Sequence, residues 1–208
     1  MPQVVHVVRT GTANLASVLA GLTRAGGRPV LTDEPEAVRG ADRVMLPGVG
    51  AFGAAKAELD ARGLTAALRE RIDAGRPTMG ICLGMQLFAA GSEESTGVEG
   101  LGVVDATIRR FSGGEPGARI RVPQLGWNEV VAQPGCQLLQ TGFAYFANSY
   151  RLDKLPWGWK GALTEHGESF VAAFERGPVL ACQFHPELSG TWGRELLARW
   201  LDAGERIC

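Results

Sequence analysis

One cysteine lies between two glycines in the segment Gly80-Ile81-Cys82-Leu83-Gly84, after an apolar run and before a short helical pattern. This spacing is typical of a nucleophile elbow in which cysteine replaces serine, because the glycines allow a tight strand-to-helix turn that exposes the thiol above a sheet. A helix starting at the cysteine would direct its N-terminal N–H groups at the sulfur and favour the thiolate. The motif alone leaves a buried structural cysteine as the alternative.

A histidine and a glutamate suited to act with this thiol follow much later, in Phe184-His185-Pro186-Glu187. The apolar run 178–182 predicts a strand, and Pro186 ends its ladder, so His185 should lie at the carboxyl tip of the strand. In extended geometry His185 and Glu187 lie on one side, where the carboxylate can fix the tautomer of the imidazole. Cys82, His185 and Glu187 therefore suit a nucleophile, a base and an orienting acid for acyl transfer.

Strand and helix patterns alternate before and around the cysteine. Apolar runs predict strands at 3–8, 28–31, 43–46 and 77–81, and the helical periodicity predicts helices at 14–25, 64–75 and 83–89. This order predicts an α/β fold of three layers, with a doubly wound, mostly parallel sheet between helices. Ligands of such sheets bind beyond the carboxyl ends of the strands, where the cysteine and the histidine are both expected.

The second half of the chain has a different pattern of apolar runs and turns. Between about 100 and 174, strand-like pieces alternate with turns, which indicates an antiparallel addition at the edge of the sheet. A last helical pattern at 192–201 would pack back on the sheet. No linker or repeat interrupts the sequence, so we expect one domain over residues 1–208.

Composition excludes several functional classes. The net charge of −1 gives no general attraction to nucleic acid or to an anionic membrane, and no apolar run reaches membrane-spanning length. The N-terminus has no signal-peptide form, and the four cysteines show neither a C-x-x-C pair nor a metal-ligand pattern. We therefore expect a reduced cytoplasmic protein that binds no metal, no nucleic acid and no membrane.

The segments 80–86 and 184–187, together with Leu-Pro-Gly-Val-Gly-Ala-Phe-Gly at 46–53, resemble the class I (triad) glutamine amidotransferases. Within that class, Pro-Gln-Leu-Gly-Trp-Asn at 123–128, Tyr-Phe-Ala-Asn-Ser-Tyr at 145–150 and the glycine loop are similar to the glutaminase subunits of imidazole glycerol phosphate synthase. The resemblance extends over nearly the whole chain.

The resemblance implies a reaction and a set of site residues. Cys82 would attack L-glutamine, and a cysteinyl thioester would then be hydrolysed to glutamate, with release of ammonia and without a cofactor. The oxyanion would be held by backbone groups of the glycine loop and of the residue after the nucleophile, namely Gly48, Val49, Gly50 and Leu83. The residues expected to contact glutamine are Gln86, Glu94, Ser149 and Tyr150. An ordinary glycine-rich turn and solvated side chains are the alternatives for these positions.

The resemblance also implies a partner. Ammonia would pass to the (β/α)8-barrel cyclase subunit of imidazole glycerol phosphate synthase, in histidine biosynthesis, and Trp127, Asn128 and Tyr145 would lie at that interface.

Three positions depart from the family pattern: Arg9-Thr10 replaces an acidic-aromatic pair, Ala13 replaces glycine, and Asn148 replaces a common histidine. Two alternatives stay open, a glutaminase subunit of another amidotransferase, such as one in chorismate or purine chemistry, and a glutaminase-like regulatory module with little turnover.

Overall fold

The computed structural model describes residues 1–10, 14–113 and 120–203. Ala13, Cys208 and most of the turn at 112–117 lie outside them. The strands are β1 (Gln3–Val8), β2 (Gly27–Thr32), β3 (Arg43–Gly48), β4 (Thr78–Cys82), β5 (Ala89–Ser92), β6 (Val104–Arg110), β7 (Gln124–Ala132), β8 (Gly142–Asn148), β9 (Tyr150–Arg151), β10 (Lys160–Glu165), β11 (Ser169–Arg176) and β12 (Val179–Cys182). The helices are α1 (Leu15–Arg24), α2 (Pro35–Gly40), α3 (Phe52–Ala61), α4 (Leu64–Asp73), α5 (Leu83–Gln86) and α6 (Gly190–Asp202).

The described residues form a nine-stranded sheet in the order β2-β1-β3-β4-β12-β11-β10-β7-β8. The strands from β2 to β12 pair in parallel, and those from β12 to β8 pair antiparallel. A smaller sheet joins β5, β6 and β9. The predicted doubly wound sheet with an antiparallel addition at one edge is therefore confirmed.

Two apolar clusters cover the two faces of the sheet and give the predicted three layers. Alternate residues of β3 show the division, because Val44 and Leu46 pack with the α2–α4 side while Met45 packs with α1 and α6. Such alternation follows from the two-residue period of side chains along a strand. Trp200 is the largest fully buried side chain, and it anchors α6 against the sheet.

The helix predicted at 83–89 was wrong in length, since α5 ends at Gln86. The next carbonyl groups leave the helix because Leu87 accepts from the amide of Leu101, and Phe88 accepts from the amide of Val103. A single helical turn has little macrodipole, so the fold offers less support to a thiolate from this helix than the sequence suggested.

Helices α2 and α3 were not predicted. Helix α3 follows the glycine loop and has a weak apolar stripe, because its buried residues are Phe52, Ala55, Leu59 and the cationic Lys56. Within the described residues no helix is both long and apolar enough to cross a membrane.

Candidate active site

Cys82 is the last residue of β4 and has φ of +54° and ψ of −111°, a left-handed conformation that non-glycine residues rarely adopt. The flanking glycines are required by close backbone approaches. A Cβ at Gly84 would lie 1.8 Å from the carbonyl oxygen of Leu46, and one at Gly80 would lie 2.8 Å from that of Gly84. The segment therefore has the strained geometry of a nucleophile elbow.

Strand β12 brings His185 to the same edge of the sheet. Strands β12 and β4 are parallel neighbours with Cys182 beside Ile81, so the residues that follow both strands come together. Nδ1 of His185 lies 2.8 Å from Oε1 of Glu187, and both side chains are buried. The extended geometry predicted for this pair was wrong, because residues 186–188 form a 3-10 turn that brings the carboxylate back to Nδ1 of the imidazole.

The backbone around His185 is fixed by the neighbouring strand β8. The N–H of His185 donates to the carbonyl oxygen of Tyr145 at 2.9 Å, and the N–H of Tyr145 donates to Oγ of Ser189 at 3.0 Å. The hydroxyl of Ser189 then donates to the carbonyl oxygen of His185 at 2.6 Å. These hydrogen bonds hold the imidazole in place without using its ring nitrogens.

Electrostatics favour a charged imidazolium. Burial opposes the charge on His185, but interactions with the sulfur of Cys82 and the Glu187 carboxylate outweigh burial and raise the pKa of His185 from its usual 6.5 to about 10. A proton is therefore held beside the sulfur at neutral pH. A thiol, an imidazole and a carboxylate in this order can perform acyl transfer through a thioester.

A cavity of about 350 Å³ opens over Cys82 and His185. It is lined by the residues Val49, Gly50, Cys82, Leu83, Gln86, Glu94, Pro123, Leu125, Ala147, Asn148, Ser149, Tyr150 and His185. The structure therefore brings the residues predicted for oxyanion binding and for substrate binding into one cavity, apart from Gly48, which does not line it.

The glycine loop follows β3, directly beside the elbow. Gly48 is the register partner of Cys82, and a Cβ at Gly48 would lie 2.9 Å from Cβ of Leu83. Gly50 has φ of +97°, a conformation that favours glycine. The backbone of this loop therefore lies directly beside Cys82 and Leu83.

The four residues predicted to contact the substrate differ in the hydrogen bonds that they already make. Gln86 donates from Nε2 to the carbonyl oxygen of Tyr150 at 3.2 Å and to Oε1 of Gln183 at 3.0 Å. The carbonyl oxygen of Ser149 accepts from the amide of Phe111 at 3.1 Å. Glu94 accepts at Oε2 from the amide of Phe52 at 2.7 Å.

Three of the residues that depart from the family pattern are described by the structure. Thr10 and Asn148 make hydrogen bonds near the cavity. The hydroxyl of Thr10 is buried and donates to the carbonyl oxygen of Pro47 at 3.3 Å, at the start of the glycine loop. Nδ2 of Asn148 donates to the carbonyl oxygen of Tyr150 at 2.9 Å. Arg9 is exposed.

The three residues predicted for the partner interface divide between two faces. Trp127 and Tyr145 are register partners on β7 and β8, with ring centroids 6.2 Å apart in an edge-to-face arrangement. Asn128 is the next residue along β7, so its side chain lies on the opposite face, where Nδ2 donates to the carbonyl oxygen of Glu165.

Gln183 was missed by the sequence reasoning. Its side chain is fully buried, and Nε2 lies 3.8 Å from Sγ of Cys82. A signal existed, because a glutamine two residues before His185, directly after a buried strand, must find polar partners inside the protein. Within the described ranges, no group of three or more His, Cys, Asp or Glu side chains could hold a metal ion.

Comparison with known proteins agrees with this geometry. The family model described as glutamine amidotransferase class-I matches residues 28–203. A solved structure described as a glutamine amidotransferase superposes with a TM-score of 0.73 at 20% identity, covering 95% of this chain and 97% of that one. A chain of the PurLQS structure from Thermotoga maritima superposes with a TM-score of 0.70 at 16% identity, covering 97% and 99%. These superpositions concern the fold alone.

The chain belongs to the class I glutamine amidotransferases. It is 41% identical over 206 residues to imidazole glycerol phosphate synthase subunit HisH of Symbiobacterium thermophilum, covering 97% of this chain and 93% of the relative. It is 37% identical over 203 residues to the subunit of the same name from Yersinia pseudotuberculosis, covering 95% and 98%. Within the class, it is therefore a member of the HisH family.

Proposed function

We propose that the chain is the glutaminase subunit of an imidazole glycerol phosphate synthase, which hydrolyses L-glutamine and supplies the ammonia to a (β/α)8-barrel cyclase subunit. The observation that carries the reaction is the buried group of Cys82, His185 and Glu187 under a cavity of about 350 Å³, a size that suits a small metabolite. The choice of pathway rests on relatives that bear one name at 37–41% identity over most of their length.

The first half-reaction forms a thioester. The thiolate of Cys82 attacks the side-chain carboxamide carbon of glutamine, and backbone N–H groups of the glycine loop and Leu83 bind the oxyanion. The imidazolium of His185 then donates its proton to the departing nitrogen, the C–N bond breaks, and ammonia leaves. The raised pKa of His185 keeps that proton available at neutral pH.

The second half-reaction restores the thiolate. Neutral His185 accepts a proton from water as the oxygen adds to the thioester carbon, and the C–S bond then breaks. Glutamate is released with the added oxygen, and Cys82 leaves as the thiolate beside a protonated imidazole. Glu187 supports the imidazolium in both halves, because its carboxylate lies 2.8 Å from Nδ1.

The amino-acid end of glutamine would be bound at the other end of the cavity. Glu94 supplies the negative charge for the α-ammonium group, and Gln86 offers its amide oxygen, since both of its amide hydrogens are directed at protein oxygens. The carbonyl groups of Ser149 and Tyr150 already accept protein hydrogen bonds, so the N–H groups of these residues are the ones suited to the α-carboxylate.

The partner would dock on the outer face of the β7–β8 hairpin. Three large apolar side chains are exposed there, with Leu125 66%, Trp127 55% and Phe143 58% exposed. This face is continuous with the cavity, because Leu125 and its register partner Ala147 also line it. An exposed apolar face next to the point of ammonia release suits a partner subunit that must take up ammonia without its loss to the surrounding water. Asn128 would act from the opposite face, by holding β7 to the end of β10.

The test uses a chloroketone analogue of glutamine and the variant Cys82→Ala. The analogue should label Cys82, and Cys82→Ala should abolish glutamine-dependent synthesis by the complex while ammonia-dependent synthesis continues. The matched control is Cys136→Ala, which removes a half-buried cysteine away from the cavity and should keep both activities. Labelling of Cys136 with Cys82 untouched, or equal loss of both activities in Cys82→Ala, contradicts the proposal. Negligible glutamine turnover by the wild-type complex would favour a regulatory module.

A further inference from the structure

Gln183 is a buried polar residue next to the reactive sulfur. It directly follows β12, and its backbone N–H donates to the carbonyl oxygen of Ala172 at 2.8 Å. Its side chain is 0% exposed and lies between Cys82 and Gln86. A buried amide is costly unless its hydrogen-bonding groups find partners, so the orientation of this side chain has consequences for both neighbours.

The orientation is fixed by a chain of hydrogen bonds that starts at a backbone carbonyl. The oxygen of Tyr150 can only accept, so the group of Gln86 that contacts it at 3.2 Å is the NH₂ group. The same NH₂ group donates to Gln183 at 3.0 Å, so the contacted atom of Gln183 is its oxygen. The NH₂ group of Gln183 is therefore directed at Sγ of Cys82, at 3.8 Å.

We propose that Gln183 is a positioning residue for the nucleophile, which stabilises the Cys82 thiolate by donating an amide hydrogen to the sulfur. The inference rests on the proposed function, because it assigns to Cys82 the role of nucleophile. It deepens that function by linking the substrate-side residue Gln86 to the sulfur through one side chain.

The sulfur has other neighbours, among them the carbonyl oxygen of Ala147, which accepts from Sγ of Cys82 at 3.9 Å. The titratable neighbours are His185, with Glu187 behind it, and the residues Glu94 and Tyr150, which line the same cavity. The imidazolium gives up its proton when ammonia leaves and regains one when water adds to the thioester, so its charge alternates during the cycle. The amide of Gln183 keeps its hydrogens throughout, and it can therefore stabilise the thiolate again when the C–S bond of the thioester breaks.

The test measures how the alkylation rate of Cys82 by iodoacetamide depends on pH, with the Cys82 peptide quantified by mass spectrometry. Gln183→Met retains the length of the side chain and removes the donor. We expect the midpoint of the profile to rise by about one pH unit, with alkylation roughly tenfold slower at pH values below the midpoint. Glutamine turnover should fall mainly in kcat, because Gln183 does not line the cavity.

Gln183→Glu is the second variant, since it keeps the shape and places an acceptor beside the sulfur. Its profile should move further in the same direction. The matched control is Gln140→Met, at an exposed position, which should leave the profile unchanged. An unchanged alkylation profile in folded Gln183→Met or Gln183→Glu overturns the proposal, because a purely structural role would lower stability without moving the pH midpoint.

A measurement on the unaltered protein covers the case in which neither variant folds. The side-chain amide proton resonances of Gln183 should shift as Cys82 titrates, and resonances that do not respond overturn the proposal. The outcome is separable from that of the proposed function. A wild-type Cys82 that does not react with the glutamine chloroketone contradicts the function, whereas the iodoacetamide profile and the amide shifts report on the hydrogen bond itself.

Discussion

The carboxylate of Glu94 accepts a hydrogen bond from the backbone N–H of Phe52 at 2.7 Å. Next to it, Oγ of Ser95 accepts from the N–H of Gly53 at 3.0 Å. Both contacts satisfy N–H groups at the first turn of α3, directly after the glycine loop. Glu94 also lines the cavity, where it is predicted to bind the ammonium group of the substrate. The same carboxylate therefore serves the predicted substrate site and caps α3, the helix that follows the predicted oxyanion loop.

Glu94→Gln should raise KM for glutamine by roughly tenfold to a hundredfold, because the charge opposite the α-ammonium group is lost while the amide oxygen still caps α3. Steady-state kinetics of glutamine hydrolysis check this. Ser95→Ala is the control, since it removes the adjacent cap and leaves the charge in place. A similar rise in KM in both variants would show that the cap, and not the charge, controls substrate binding.

Glu187→Gln should reduce stability in a pH-dependent way. The pKa of His185 is about 10 in the folded protein against 6.5 ordinarily, so its contribution to stability is fully present below pH 6.5 and is lost as pH rises through 10. Removing the carboxylate lowers the folded pKa of His185. The difference between wild type and variant in the free energy of unfolding should therefore be largest near pH 6 and smaller at pH 10. Urea denaturation at pH 6, 8 and 10 measures it, and a constant difference contradicts the expectation.

Gly84→Ala should destabilise the protein by at least about 2 kcal/mol and abolish glutamine turnover, because the added Cβ would lie 1.8 Å from the Leu46 carbonyl oxygen and must displace the elbow from β3. Thermal and chemical denaturation check the stability. Gly40→Ala is the matched control at the last residue of α2, where nothing lies within 4 Å of the new atom. Gly40→Ala should be neutral or slightly stabilising, and equal losses in the two variants would be inconsistent with a steric cause at the elbow.

Trp127→Ala should weaken binding of the cyclase partner by about tenfold to a hundredfold, because large exposed aromatic residues often dominate protein interfaces. Isothermal titration calorimetry with the cyclase checks it, and labelling of Cys82 by the chloroketone should be unaffected. Trp157→Ala is the control, since Trp157 is 99% exposed and belongs to the connection between β9 and β10. Weaker binding in Trp157→Ala with full affinity in Trp127→Ala would move the interface away from the β7–β8 hairpin.

The sequence predicted the elements whose signals are local. Strand β1 was predicted with both of its ends, and β3, α4 and α6 were placed within a few residues of their bounds, because their apolar periodicity is strong. Helix α3 has no such pattern, and its N-terminal cap comes from Glu94 and Ser95, which are distant in sequence.

The candidate site shows the same division. Glycines flanking Cys82 signalled a tight turn, and the His-Pro-Glu segment signalled a strand end. The orientation of Gln183 could not be predicted, since it depends on the carbonyl oxygen of Tyr150, which reaches Gln183 only through Gln86. The turn that brings the Glu187 carboxylate to Nδ1 of His185 was not predicted either. Both an extended and a 3-10 conformation allow residues two apart to make this contact.

Strands β4 and β12 are neighbours in the sheet, although a long stretch of chain separates them. During translation, a nascent polypeptide that has emerged only as far as β4 carries an isolated sulfhydryl group with no proton acceptor beside it. The sulfur gains its histidine only when β12 pairs between β4 and β11. A partly translated chain that ends before β12 therefore lacks the imidazole that the sulfur needs for glutamine hydrolysis.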